Sequence, residues 1–116
     1  MKYILTLFTA FMLLSASAQI PSDVPTDSLV GWYPFNGNAN DESGNGNDGT
    51  VNGATLTTDR FGNGDSAYYF SSANHIDFGM NTDFGVTGAD TLSISFWTKS
   101  TSGNYPFISK YENGVG

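Results

Sequence analysis

Gly31-Trp32-Tyr33-Pro34-Phe35-Asn36-Gly37-Asn38-Ala39-Asn40-Asp41-Glu42-Ser43-Gly44-Asn45-Gly46-Asn47-Asp48-Gly49-Thr50-Val51 sets an aromatic strand, a long polar loop and a second strand in succession. The loop consists almost wholly of Gly, Asn, Asp and Ser. It cannot bury apolar surface, but its tight turns can gather many oxygen atoms, as a hard cation such as calcium requires. The same residue types dominate turns for backbone reasons alone, so a plain Asn/Gly turn loop is the alternative.

Working outward, residues 29–35 read as a first strand. Leu29, Gly31, Tyr33 and Phe35 fall on one face, Val30 and Trp32 on the other. Residues 49–52 and 54–57 read as short strands joined at Asn52-Gly53, the usual signature of a tight hairpin. Residues 60–65 form a second turn cluster, and residues 67–70 and 75–78 read as further short strands. The cleanest strand is 91–99, where Leu92, Ile94 and Phe96 alternate with Ser93, Ser95 and Trp97. That alternation predicts Leu92, Ile94 and Phe96 in a core and Trp97 on an outer face. Residues 105–111 read as a last strand. Aromatic residues make up 15% of the chain, with 14 glycines and 11 asparagines to supply turns. No helical 3.6-residue apolar period follows the first 18 residues. The fold class is therefore all-β.

Those first 18 residues have a different character. Lys2 precedes an apolar stretch over residues 4–14, and Ala16-Ser17-Ala18 is a small-residue cleavage signal before Gln19. This is the pattern of a secretory signal peptide, and its apolar part is too short to span a bilayer as a helix. The predicted organisation is a signal peptide over 1–18, an exposed leader over 19–27 and one β domain over 28–116. The expected location is secreted, extracellular or at the cell surface. The whole chain carries a net charge of -7. That balance argues against nucleic acid and anionic membrane surfaces as partners and is compatible with cation binding. The chain has no cysteine, which removes thiolate chemistry, disulfides and cysteine-zinc sites.

The ordered motifs resemble the secreted bacterial laminin-G-like modules of the concanavalin A-like lectin/glucanase superfamily. The residues that carry the resemblance are Leu29 through Asp41, Ser43 through Thr50, Gly53-Ala54-Thr55-Leu56, Asp59-Arg60-Phe61-Gly62-Asn63, Ala67-Tyr68-Tyr69-Phe70 and Thr91 through Lys99. The resemblance implies a jelly-roll β-sandwich of two antiparallel sheets, usually longer than this chain. A domain incomplete at its C-terminal end is the corresponding expectation. The resemblance also implies frequent fusion to other exported domains and frequent structural calcium.

Three chemistries bear on these residues. For metal, Asp41-x-Ser43-x-Asn45-Gly46 matches the opening of an EF-hand loop. The twelfth position is Asn52 rather than the bidentate Glu, which argues against an EF-hand and leaves a sandwich-edge calcium site as the candidate. Its candidate ligands are Asp41, Ser43, Asn45 and Asp48; Asp83 lies in a different loop. For catalysis, glycoside hydrolysis needs two carboxyl groups about 5–10 Å apart. The only glutamates are Glu42 and Glu112, both in turns, and no strand carries a carboxylate pair. His75 and Asp77 share a strand face without a nucleophile. No catalytic residue is assigned. For carbohydrate, a sugar ring needs a flat aromatic face with polar groups around it, and Trp97 is the candidate platform. The expectation is a non-catalytic glycan-binding module with a structural calcium ion. The alternatives are an adhesion spacer within a multidomain secreted protein, and a glycosidase whose carboxylates lie beyond Gly116.

Overall fold

The computed structural model describes residues 20–71, 73–80, 82–85, 91–100 and 107–110. The expected signal peptide lies outside these residues, as do Tyr105, Pro106 and Tyr111 of the last expected strand. The chain divides after Gly85 into two units.

In the first unit the strands are β1 (Thr50–Asn52), β2 (Thr55–Thr57), β3 (Ala67–Tyr69) and β4 (His75–Asp77), followed by a 3-10 turn over Thr82–Phe84. β1 pairs antiparallel with β4, with Val51 opposite Ile76. β2 pairs antiparallel with β3, with Leu56 opposite Tyr68. Each two-stranded sheet thus centres on an apolar cross-strand pair, the unit of contact that stabilises a ladder. No α-helix occurs among the described residues, whose regular structure is all-β apart from the 3-10 turn.

The hairpin expected at Asn52-Gly53 does not form, because β1 and β2 belong to different ladders. A two-residue type I′ turn needs two consecutive left-handed residues, and here only Gly53 is left-handed, at φ 75°. Both ladders instead join residues 50–57 to residues 67–77. Two residues separate β1 from β2, whereas five separate β3 from β4. Asn74 secures this mismatch: its N–H donates to Ser71 O at 3.0 Å and its Nδ2 donates to Gly53 O at 2.8 Å. A Cβ at position 53 would stand 2.6 Å from Asn74 Oδ1, so glycine is needed there for space as well as for conformation.

Residues 29–35 also depart from expectation. They form no ladder, and left-handed Ser28 (φ 60°) and Phe35 (φ 57°) bound them. Their period-2 facing nevertheless has a counterpart in the packing. Tyr33 and Phe35 stack at 6.2 Å, Tyr33 meets Phe78 at 4.5 Å, and Phe35 meets Tyr68 edge-on at 5.3 Å. Phe84 extends this row beyond Phe78, and Phe70 extends it beyond Tyr68. Such pairs contribute about 0.5–1.5 kcal/mol each beyond area burial. Enclosed side chains are few. Among the described residues the buried ones are Ala39, Ala54 and Asn47.

In the second unit, residues 91–100 form no strand. Leu92, Ile94 and Phe96, expected in a core, are exposed, and Phe96 retains 51% of its surface. Its ring lies 6.3 Å from that of Phe107, which is itself exposed. The alternation defines an apolar edge, but a strand buries that edge only when a ladder partner and a covering layer are present.

Candidate functional site

The loop that follows Phe35 is organised by one carboxylate. Asp41 Oδ1 accepts the N–H groups of Trp32 and Ser43, each at 2.9 Å, and Oδ2 accepts the N–H of Asn47 at 3.1 Å. Asp48 Oδ1 in turn accepts the N–H of Asp41 at 2.8 Å. Ser43 Oγ accepts from Asn45 Nδ2 at 3.0 Å. All four residues predicted as metal ligands therefore belong to one connected lattice within one loop.

The same lattice replaces the missing strand partner of residues 29–35. Asn45 Nδ2 donates to Leu29 O at 2.6 Å and to Val30 O at 3.2 Å. Asn47 Nδ2 donates to Val30 O at 2.9 Å, and the N–H of Glu42 donates to Trp32 O at 2.8 Å. Backbone carbonyls that a neighbouring strand would satisfy are satisfied here mainly by side-chain amides. Gly49 closes the loop, its N–H donating to Ala39 O at 2.9 Å. A Cβ on Gly49 would stand 2.7 Å from Ile76 Cγ2 and 2.9 Å from Phe78 Cε1.

Electrostatics follows from these contacts. Burial opposes the charge on Asp41 and is the largest single influence. The Ser43 hydroxyl and the N–H groups of Trp32, Ser43 and Asn47 together outweigh it and hold the carboxyl below the usual aspartate value. Tyr33 donates its hydroxyl to Asn47 O at 2.6 Å. Burial, followed by the negative charges of Asp41 and Asp48, pushes that phenol up to about 12.

A carboxylate offers about four lone-pair positions, and Asp41 directs both of its oxygens at N–H donors. Of the four predicted ligands, Asp41 and Asp48 spend carboxylate oxygens on backbone N–H groups, whereas Asn45 Nδ2 donates to Ser43 Oγ and to the carbonyls of Leu29 and Val30. Among the described residues no group of three or more His, Cys, Asp or Glu side chains is placed to hold a metal ion. Asp83, expected in an unrelated loop, reaches this one, since its Oδ2 accepts from Asn47 Nδ2 at 3.2 Å. Trp97, the predicted sugar platform, lies in the second unit and is 81% exposed.

Asp77, His75 and Asp59 bond to nearby backbone within their turns. Asp77 Oδ1 accepts the N–H of Gly79 at 2.8 Å, and His75 Nδ1 lies 3.1 Å from Ala73 O. Asp59 repeats the Asp41 device on a smaller scale, accepting from Phe61 N, Asn63 N and Asn63 Nδ2 at 2.8–2.9 Å. Sequence reasoning missed Asn47, Tyr33 and Asp59 as organising residues. Asp59-x-x-Gly62-Asn63 carries a turn signal that could have flagged Asp59. Nothing in the sequence separates Asn47, 3% exposed, from its ten asparagine fellows.

Comparison with protein-family models, with curated proteins and with solved structures finds no match for this chain. Among the described residues, no helix is long and apolar enough to cross a membrane.

Proposed function

We propose that this chain is a secreted, non-catalytic binding module for carbohydrate or cell-surface glycan, built on a laminin-G-like jelly-roll sandwich. The observation that carries the reading is Trp97. Its indole is 81% exposed, more than Leu92, Ile94 or Phe96 beside it. A flat apolar face in water is what the apolar side of a sugar ring stacks against. Turn-rich loops of Asn, Asp and Ser supply the hydroxyl-binding chemistry that accompanies such a platform. The turn roles of His75 and Asp77 favour a non-catalytic reading.

Calcium enters as a structural ion held by Asp41, Ser43, Asn45 and Asp48, in exchange for some of the hydrogen bonds they make. Their gathering in one loop supports it. The test is thermal unfolding with calcium and with chelator. Calcium at a hundred times its dissociation constant raises apparent stability by about 2.7 kcal/mol. Asp41→Ala removes that increment and Asp23→Ala, in the leader, leaves it. Asp83 is unsuitable as the control because it bonds Asn47. An unchanged midpoint on chelation refutes the ion.

For glycan, Trp97→Ala weakens binding on an array while the unfolding midpoint stays near that of the parent. Loss of binding only together with loss of folding refutes the platform. The second reading is an adhesion spacer without a small ligand. The hydrogen-bond lattice around Asp41 favours it, because a loop satisfied from within needs neither ion nor sugar to hold its shape.

A further inference from the structure

Four Asn-Gly pairs lie among the described residues: Asn36-Gly37, Asn45-Gly46, Asn52-Gly53 and Asn63-Gly64. Such a pair deamidates when the glycine nitrogen attacks the side-chain carbonyl carbon of the asparagine. Glycine permits this because no Cβ obstructs the approach and its φ is free. The attacking N–H must be unengaged, and the four pairs differ in that respect.

Gly37 donates its N–H to both Phe35 O at 2.9 Å and Asp65 O at 2.7 Å. Asn52 is held in β1 opposite His75, and Gly53 is bridged to the same residue. Gly46 N, by contrast, makes no hydrogen bond among the described residues, and Gly46 sits at φ 77°. Asn45 is exposed, and its Nδ2 carries all the side chain's bonds, leaving Oδ1 to solvent. Asn45 also lines an open depression with Ser28, Leu29, Val30 and Asp83, so water reaches it. Gly64 N is likewise unengaged, and Asn63-Gly64 serves as an internal comparison.

We propose that Asn45-Gly46 is a site of spontaneous deamidation, and that its conversion releases Leu29 from the loop while Asn47 Nδ2 still holds Val30 O. Gly46 N loses its proton and bonds to Asn45 Cγ. The Cγ–Nδ2 bond breaks and ammonia leaves, giving a cyclic imide. Water opens the ring at either carbonyl and leaves aspartate or isoaspartate, with no change of oxidation state. The product matters because Asn45 Nδ2 is the donor to Leu29 O, Val30 O and Ser43 Oγ. A carboxylate donates nothing and sets negative oxygen against two carbonyls. The latch therefore becomes repulsive, irreversibly.

The test is timed incubation of the full chain in mildly alkaline buffer, native and in denaturant, followed by peptide mass mapping that separates aspartate from isoaspartate. The native chain converts at Asn45, whereas Asn36 lags by about tenfold or more because two hydrogen bonds must open first. In denaturant the four pairs converge. Native protection of Asn45 equal to that of Asn36 overturns the site. For the consequence, hydrogen exchange is compared in Asn45→Asp, Asn63→Asp and the parent. Asn45→Asp loses protection at Leu29 and Asn63→Asp does not. Equal protection in all three overturns the release. If Asn45→Asp does not fold, the aged parental fraction isolated by ion exchange carries the same measurement.

Discussion

Replacing Asp41 by alanine tests the organising device of this structure directly. The substitution removes the acceptors of three backbone N–H groups, on Trp32, Ser43 and Asn47. Hydrogen bonds to a charged group contribute about 1.5–3 kcal/mol each when well shielded. Asp41 is only half-buried, so solvent screening reduces each to about 1 kcal/mol. The sum is about 3 kcal/mol, a large share of the 5–15 kcal/mol typical of a domain. The indole Nε1 of Trp32 is already enclosed without a hydrogen-bond partner, so this neighbourhood has little reserve. Urea unfolding in the presence of chelator is the assay, because it separates the lattice from any bound ion. The expected result is a midpoint well below that of the parent with the m-value unchanged. Asp41→Asn keeps the shape and adds a pH signature. The Asp41 pKa is lowered on folding, so its contribution is present above the ordinary value of 3.8 and is lost as pH falls through the folded value. The acid limb of the stability profile therefore flattens in Asp41→Asn. Coincident midpoints of Asp41→Ala and parent in chelator would refute the lattice as the source of loop order.

Tyr33→Phe removes the bond to Asn47 O and costs about 0.5–1.5 kcal/mol by urea unfolding. In the parent the raised Tyr33 pKa gives a contribution that is complete below pH 10.0 and is lost as pH rises through about 12; ultraviolet titration of tyrosinate reads that step, and it is missing in the variant. Gly49→Ala drives a methyl group into Ile76 and Phe78 and costs about 1–3 kcal/mol in thermal unfolding. Phe96→Ala, at a position 51% exposed, changes stability by about 0.5 kcal/mol or less, and a loss of several kcal/mol would mean that Phe96 is buried after all.

Short strands and turn chemistry were legible because they depend on neighbours in sequence. The readings at 67–70 and 75–78 correspond to β3 and β4, and those at 49–52 and 54–57 to β1 and β2. Period 2 also placed Tyr33 with Phe35 on one side, where their rings stack. Pairing was not legible. Asn52-Gly53 is a local hairpin signal, yet β1 takes β4, because Val51 and Ile76 meet across a ladder that no local rule specifies. Residues 29–35 read as a strand from their own pattern, but ladder formation needs a partner, and the loop's side chains occupy that place.

The sequence by itself determined the all-β character, the concentration of oxygen groups in one loop, and the candidacy of Asp41, Ser43, Asn45, Asp48 and Trp97. Composition and period are properties of adjacent residues, and they survive any later choice of partner. Tertiary structure alone decided that Asp41 gathers backbone N–H groups from residues 32, 43 and 47, and that Asn47 links Tyr33, Val30 and Asp83. It also left Leu92, Ile94 and Phe96 exposed. A hydrogen bond or a buried face requires two groups to meet in space, and the separation along the chain does not say which two will meet.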